Sequence, residues 1–264
     1  MSKIRKLQLC CALSLLLMAN AVPGWAFAQH GAAPLEAPLR LQSGRLAVVV
    51  QAADGREFDF ILSTGTPPTV LSASTAAALG DEPALTIAGQ PVDFAGSQTI
   101  PDDNLNVDGF AFDGMIGPQT LNQFDILIDV PGHRLLLRPL GPPAAWDGVA
   151  LREPMPVRVF HGQMIALSVD LNGQTFMASL DTGQSALIVN EPVTHTLGTE
   201  QKFKAALSLG GAEIVDVPVE MIDLDVMERW DPDRKGFVIL GAPIAYDCAI
   251  AISWVRSEIQ VCAQ

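Results

Sequence analysis

The 264-residue chain carries 16 Lys+Arg against 29 Asp+Glu, a formal net charge of −13. That excess excludes a protein that neutralises phosphates, so neither nucleic acid nor an anionic membrane surface is an expected partner. With 49% hydrophobic and 17% charged residues it is neither disordered nor a coiled coil, and its 22 Gly and 19 Pro punctuate it as a β-rich chain is punctuated.

Lys3, Arg5 and Lys6 precede a mostly apolar run from Leu9 to Val22, and Ala26-Phe27-Ala28 supplies the small residues of an A-x-A cleavage site. The run is shorter than the ~20 residues of a spanning helix. Residues 1–28 are therefore expected to be a cleaved signal peptide, and the mature chain to be exported to the periplasm or beyond, free of the membrane. Cleavage removes three basic residues and no acidic ones, taking the formal charge from −13 to −16. Residues 29–40 read as a Pro/Ala tether, and a second Pro-rich stretch, 139–156, reads as a linker between halves 41–138 and 157–264.

The halves look like two copies of one unit. A shift of 118 places Leu46–Gly80 on Met164–Gly198 without a gap, matching Gly55/Gly173, Phe58/Phe176, Leu62/Leu180, Thr64/Thr182, Gly65/Gly183, Leu79/Leu197 and Gly80/Gly198. A shift of 124 then places the segment from Met115 on that from Ile239, matching Gly117/Gly241, Ile126/Ile250 and Ile128/Ile252. Each unit opens with a hairpin turning at Asp54-Gly55 or Asn172-Gly173, dipeptides that favour tight turns. Its return strand runs into Ser63-Thr64-Gly65 or Asp181-Thr182-Gly183. An apolar segment, a short helix ending at Gly80 or Gly198, and a hairpin at Ala88-Gly89 or Gly210-Gly211 follow. An apolar strand ending in Ile116-Gly117 or Leu240-Gly241, a helical turn and a last hairpin close the unit. Turn signals so closely spaced argue a mainly β chain.

Cys248 and Cys262 flank a hairpin turning at Val255-Arg256; in an oxidising compartment the pair reads as a disulfide rather than a metal or redox site. His30, His133, His161 and His195 are scattered without ligand spacing, and Asp102-Asp103 and Asp231-Pro232-Asp233 lack the spacing of a calcium loop. Neither a metal nor another cofactor is expected.

The repeated motif carries a resemblance. Asp181-Thr182-Gly183, the later Ile239-Leu240-Gly241 and the closing hairpin are similar to one lobe of the aspartic peptidases. Ser63-Thr64-Gly65 with Met115-Ile116-Gly117 resembles the other. The arrangement is closest to the bacterial retropepsin-like group in a single-chain, two-lobed, pepsin-like form, and covers Leu46 to Cys262. The resemblance implies a two-lobed acid-protease fold, peptide hydrolysis by one aspartate from each lobe, and a peptide or protein segment as ligand. It makes Asp181 a catalytic aspartate, Thr182 and Gly183 its support with Thr64 and Gly65 their counterparts, and Ser185 the hydroxyl that orients it. Two such carboxylates cannot both ionise, so one holds a proton while the other acts as base.

The first lobe departs from that pattern. Ser63 stands where the partner aspartate belongs, Pro67 stands opposite Ser185, and Pro68 stiffens the loop. A serine hydroxyl stays neutral without a paired base, and no histidine is at hand to make Ser63 a nucleophile. Losing one proton-transfer group costs ~10²–10⁴ in rate. The stretches after Gly80 and Gly198 leave no room for a long flap, and the single tyrosine, Tyr246, lies near the last hairpin. Three readings stay open: an active endopeptidase working through Asp181, a degenerate relative that binds peptide in the interlobe cleft, and a purely structural module. Residue chemistry favours the second. A dimer pairing two Asp181 carboxylates would need the surface the first lobe occupies, so a monomer is expected.

Overall fold

The computed structural model describes residues 33–263, apart from 67, 81–83, 93, 95, 143–144, 162, 225–226, 228–232 and 234. The expected signal peptide therefore lies outside the described residues. Among those described, half are strand and 13% helix, so the fold is mainly β. None of their helices is long and apolar enough to cross a membrane.

Leu35, Ala37 and Leu39 alternate with Glu36, Pro38 and Arg40, and that period of two makes Leu35–Gln42 a strand with Ala37 and Leu39 buried. Residues 35–40 are thus not the tether their prolines suggest. The strand serves two neighbours in turn: Leu35 to Pro38 pair with Arg134–Pro139, and Leu39 to Gln42 pair with Arg45–Ala52. The turn between it and Arg45–Ala52 falls at Ser43 and Gly44, both at positive φ (47° and 70°). Arg45–Ala52 then pairs with Glu57–Leu62, which runs parallel to Gly114–Ile116 with Ile116 opposite Leu62.

The second half repeats that local order. Asn172 (φ 51°) and Gly173 (φ 80°) close the tight hairpin between Met164–Leu171 and Gln174–Leu180, and Gln174–Leu180 runs parallel to Phe237–Leu240 with Leu240 opposite Leu180. Helix Ala73–Leu79 is capped by Ser72, whose hydroxyl accepts from Thr75 N at 3.0 Å; helix Glu191–Leu197 ends in Gly198 in the left-handed conformation.

The halves share one sheet. Phe124–Asp129 lies antiparallel to Ile250–Ser253, with Ile126 opposite Ile252, Leu127 opposite Ala251 and Ile128 opposite Ile250. Leu46, Phe60, Leu62, Ile126, Ile128, Leu167, Leu180, Leu240 and Ile250 belong to a single buried cluster that spans both halves. Asp125, almost fully buried, receives Arg256 Nη1 at 2.7 Å across the same junction.

The Pro-rich segment is anchored rather than loose. Trp146 is buried against Leu127, Leu136, Ala249 and Ala251, with the Arg138 guanidinium 4.0 Å from its ring centre. Arg152 N donates to Val261 O at 2.8 Å, and Met155–Pro156 pairs with Glu258–Val261. The last hairpin is tied by the Cys248–Cys262 disulfide, with a Cα–Cα distance of 5.2 Å. A loop of that length contributes about 3 kcal/mol in the chain-entropy account.

Burial pushes the Asp113 carboxyl up, against the hydrogen bonds it accepts from Asp59 N (2.8 Å) and Thr75 Oγ1 (3.3 Å). A raised acid pKa stabilises the fold below the ordinary aspartate range near ~4 and loses that contribution as pH rises through the folded value. Asp113→Asn, which keeps an acceptor for Asp59 N, should therefore gain stability relative to the wild type between pH ~4 and ~7. Chemical denaturation across that range checks the sign, and a difference that shrinks as pH rises is the contrary result.

Candidate functional site

Each parallel strand pair ends in a turn, and the two turns meet. Ser63 N donates to Ile116 O at 3.0 Å, and Asp181 N donates to Leu240 O at 2.9 Å, so each motif hangs from the neighbouring apolar strand at an equivalent point. The threonines lock the turns together. Thr64 Oγ1 donates to Leu180 O (3.2 Å) and accepts from Thr182 N (3.1 Å), while Thr182 Oγ1 donates to Leu62 O (2.8 Å). All four residues are buried, which makes these bonds expensive to leave unmade.

The glycines permit this approach. A Cβ on Gly65 would overlap the Asp181 side chain and stand 2.8 Å from Leu180 O. One on Gly183 would stand 2.9 Å from Ser63 Cβ and 3.0 Å from Asp181 Oδ1. Only glycine fits either position.

Ser63 is fully buried and Asp181 is 6% exposed. Ser63 Oγ donates to Asp181 Oδ1 at 2.7 Å, and Gly183 N donates to the same oxygen at 3.0 Å. The other oxygen, Oδ2, accepts from Thr66 Oγ1 and from Gln184 Nε2, each at 3.2 Å. Ser63 Oγ in turn accepts from Thr66 N at 3.1 Å. Four donors thus occupy the roughly four lone-pair positions of one carboxylate.

Sequence reasoning missed Thr66 and Gln184. They stand at matching places in the two halves, each one residue past the motif glycine, and that shared polar position was the available signal. Ser185, expected to orient Asp181, is not among its four donors; it is exposed and packs against the turn at Gly44, where a Cβ would lie 3.1 Å from Ser185 Cβ. Orientation falls to Thr66 and Gln184 because their side chains reach Oδ2 directly. Pro67 lies outside the described residues.

The hairpin expected at Gly210-Gly211 is present and is longer than the expectation of no room for a long flap allows. Lys202–Leu209 and Ala212–Met221 form it, turning at Gly210-Gly211. Its tip packs on Met155 and Val261, with Gly211 near Arg152, so it braces the C-terminal strand. Apolar and polar residues alternate through Phe203, Ala205, Leu207 and Leu209, and that pattern was the signal for it.

Tyr246 joins the rim: its hydroxyl donates to Gly44 O at 3.0 Å, and burial pushes its phenol up. Burial likewise pushes the Arg45 guanidinium down, opposed by the charges of Asp181 and Asp108. Among the described residues no group of three or more His, Cys, Asp and Glu is placed to hold a metal ion. Asp102 caps the backbone at Ser74 N (3.0 Å) and Asp233 pairs with Lys235 (3.0 Å); Asp231 and Pro232 lie outside the described residues.

No protein-family model matches the chain, and no curated protein matches it. The atoms themselves limit the chemistry. A general base must accept a proton from its reactant within hydrogen-bond reach. The acceptor positions of Asp181 are already taken by the protein, one of them by the buried Ser63 hydroxyl of the other half.

Proposed function

We propose that this protein is an exported, two-lobed relative of the aspartic peptidases, built by internal duplication, which holds a peptide or protein segment in its interlobe cleft without hydrolysing it. The carrying observation is the hydrogen bond from Ser63 Oγ to Asp181 Oδ1 at 2.7 Å. It replaces a shared-proton carboxylate pair by a neutral donor on a carboxylate, which removes one acid/base group and occupies the other.

The contacts between halves support the duplication. Ser63 meets Asp181 at a separation of 118 in sequence, and Thr64 reaches the residue before Asp181 as Thr182 reaches the residue before Ser63. Leu127 faces Ala251, its equivalent at the second shift, and Ile126 and Ile128 exchange partners with Ile252 and Ile250. Equivalent residues meeting each other is the mark of a local two-fold axis, which two copies of one unit produce when they pack face to face. Export is supported by the Cys248–Cys262 disulfide, since such bonds persist in oxidising compartments.

The test is incubation of the mature protein with a diverse peptide mixture between pH 3 and 7, beside Asp181→Asn. The expected result is peptide retention with no cleavage above that control. Pepstatin-sensitive cleavage by the unmodified protein, lost in Asp181→Asn, would establish instead the active endopeptidase.

A further inference from the structure

We infer that Arg45 recognises a carboxylate on the segment held in the cleft, so that the ligand of this site is an acidic peptide. This rests on the reading that the cleft holds a peptide, and it adds the chemistry by which one peptide is chosen over another.

Arg45 is held at the site by its turn. Gln42 and Arg45 face each other across the base of the first hairpin, and Gly44 between them touches Ser185 and accepts from the Tyr246 hydroxyl. The side chain is partly buried, and its Nε is sealed from solvent with no hydrogen-bond partner. Gln42 Oε1 is sealed and unpartnered as well. One donor and one acceptor are therefore left without a hydrogen bond at the base of this hairpin, and the charges of Asp181 and Asp108 oppose the cost of burying Arg45 without bonding to it.

The neighbouring acids do not fill the gap. Asp181 is committed to its four donors, and Asp108, at the tip of the hairpin formed by Asn106–Val107 and Phe110–Ala111, makes no ion pair with Arg45. Elsewhere a partly exposed guanidinium is matched by a buried carboxylate: Arg134 Nε lies 2.8 Å from Asp129, and Arg256 Nη1 lies 2.7 Å from Asp125. Arg45 has the burial without the partner. Arg152 also has an unpartnered Nε, but it stands by Gly211, beside the C-terminal strand rather than at the motif.

A planar guanidinium presents a fork that matches a carboxylate, and such charge-assisted bonds are roughly twice as strong as neutral ones. An acidic side chain or a free C-terminus supplies the carboxylate. The chain's net negative charge disfavours long-range attraction of such a ligand, so the selection is made at contact.

The probes are pools of random decapeptides, C-terminally amidated, with Glu, Gln or Lys fixed at the centre, and a fourth pool with central Gln and a free C-terminal carboxylate. Retention on the immobilised mature protein is read by mass spectrometry. The Glu pool, the free-acid pool or both should be retained about tenfold over the amidated Gln pool, the scale of one charge-assisted hydrogen bond. Which of the two is retained assigns the carboxylate to a side chain or to a C-terminus. Arg45→Met should erase the preference, and Arg45→Glu should turn it toward the Lys pool. Thermal unfolding verifies that each variant folds; Arg45→Lys, which keeps charge and stem but not the fork, should weaken the preference and serves if the others do not fold. Equal retention of the Glu, free-acid and Gln pools by the wild type, or a preference unchanged in these variants, overturns the inference while peptide binding stands. Retention of none of the pools overturns the peptide-binding reading itself, and this inference with it.

Discussion

Asp181→Ala lowers the stability of the mature protein by about 3–5 kcal/mol, the largest loss expected from any single truncation at the site. Removing the carboxylate strands the hydroxyls of Ser63 and Thr66, the Gly183 N–H and the Gln184 amide. Ser63 and Gly183 are buried, so water cannot readily replace what they lose. For a domain of this size the loss lowers the melting temperature by roughly 10 °C. The sign separates two roles. A carboxylate maintained for catalysis is a strained, costly group whose removal leaves stability unchanged or raised. One that gathers four donors from both halves is a clamp. Asp181→Asn, which retains one acceptor, should lose less than Asp181→Ala. Thermal and urea unfolding measure both, and an Asp181→Ala variant as stable as the wild type would refute the clamp.

The mainly β class and the meeting of the two turns were legible in the sequence because each has a local signature. Asn172-Gly173 demands a tight hairpin wherever it falls, and a gapless shift of 118 brings Ser63 and Asp181 into register before any coordinate is known. The disulfide was legible for the same reason, since a hairpin turning between Cys248 and Cys262 sets the two side by side. What escaped notice depended on packing. Prolines in 29–40 suggested a tether, yet Leu35, Ala37 and Leu39 had a neighbour to bury against, and burial outweighed composition. The Pro-rich stretch lies against the fold because Trp146 has a slot between Leu127 and Ala249. Gln184 lies three residues from Asp181 in the same turn, whereas Thr66 as a ligand of Asp181, and Arg45 near it, come from the placement of one half on the other, which no spacing within a half encodes.

Ser63→Asp is expected to fold less stably at pH 7 than at pH 4, by about 3 kcal/mol, and to gain only weak hydrolysis. The new carboxylate replaces a hydroxyl 2.7 Å from Asp181 Oδ1, in a position with no exposure. Like charges so close cannot both ionise, so the pair takes up a proton that the unfolded chain gives up. Folded carboxyls with a raised pKa contribute stability at low pH and lose it as pH rises, which places the loss above the ordinary aspartate range near ~4. The same shared proton supplies an acid and a base, a change that the proposed function makes worth up to ~10⁴ in rate. Positioning then limits the gain, because Thr66 and Gln184 still hold Oδ2, Pro67-Pro68 still follow the first motif, and the long hairpin of the second half is packed on Met155 and Val261 rather than over the site. Misplacements of that kind cost ~10² each. The expected outcome is slow cleavage, fastest under acid conditions and abolished when Asp181→Asn is added. A Ser63→Asp protein equally stable at pH 4 and pH 7 would sink the shared-proton account, and cleavage that persists in the double variant would put the chemistry somewhere other than this pair.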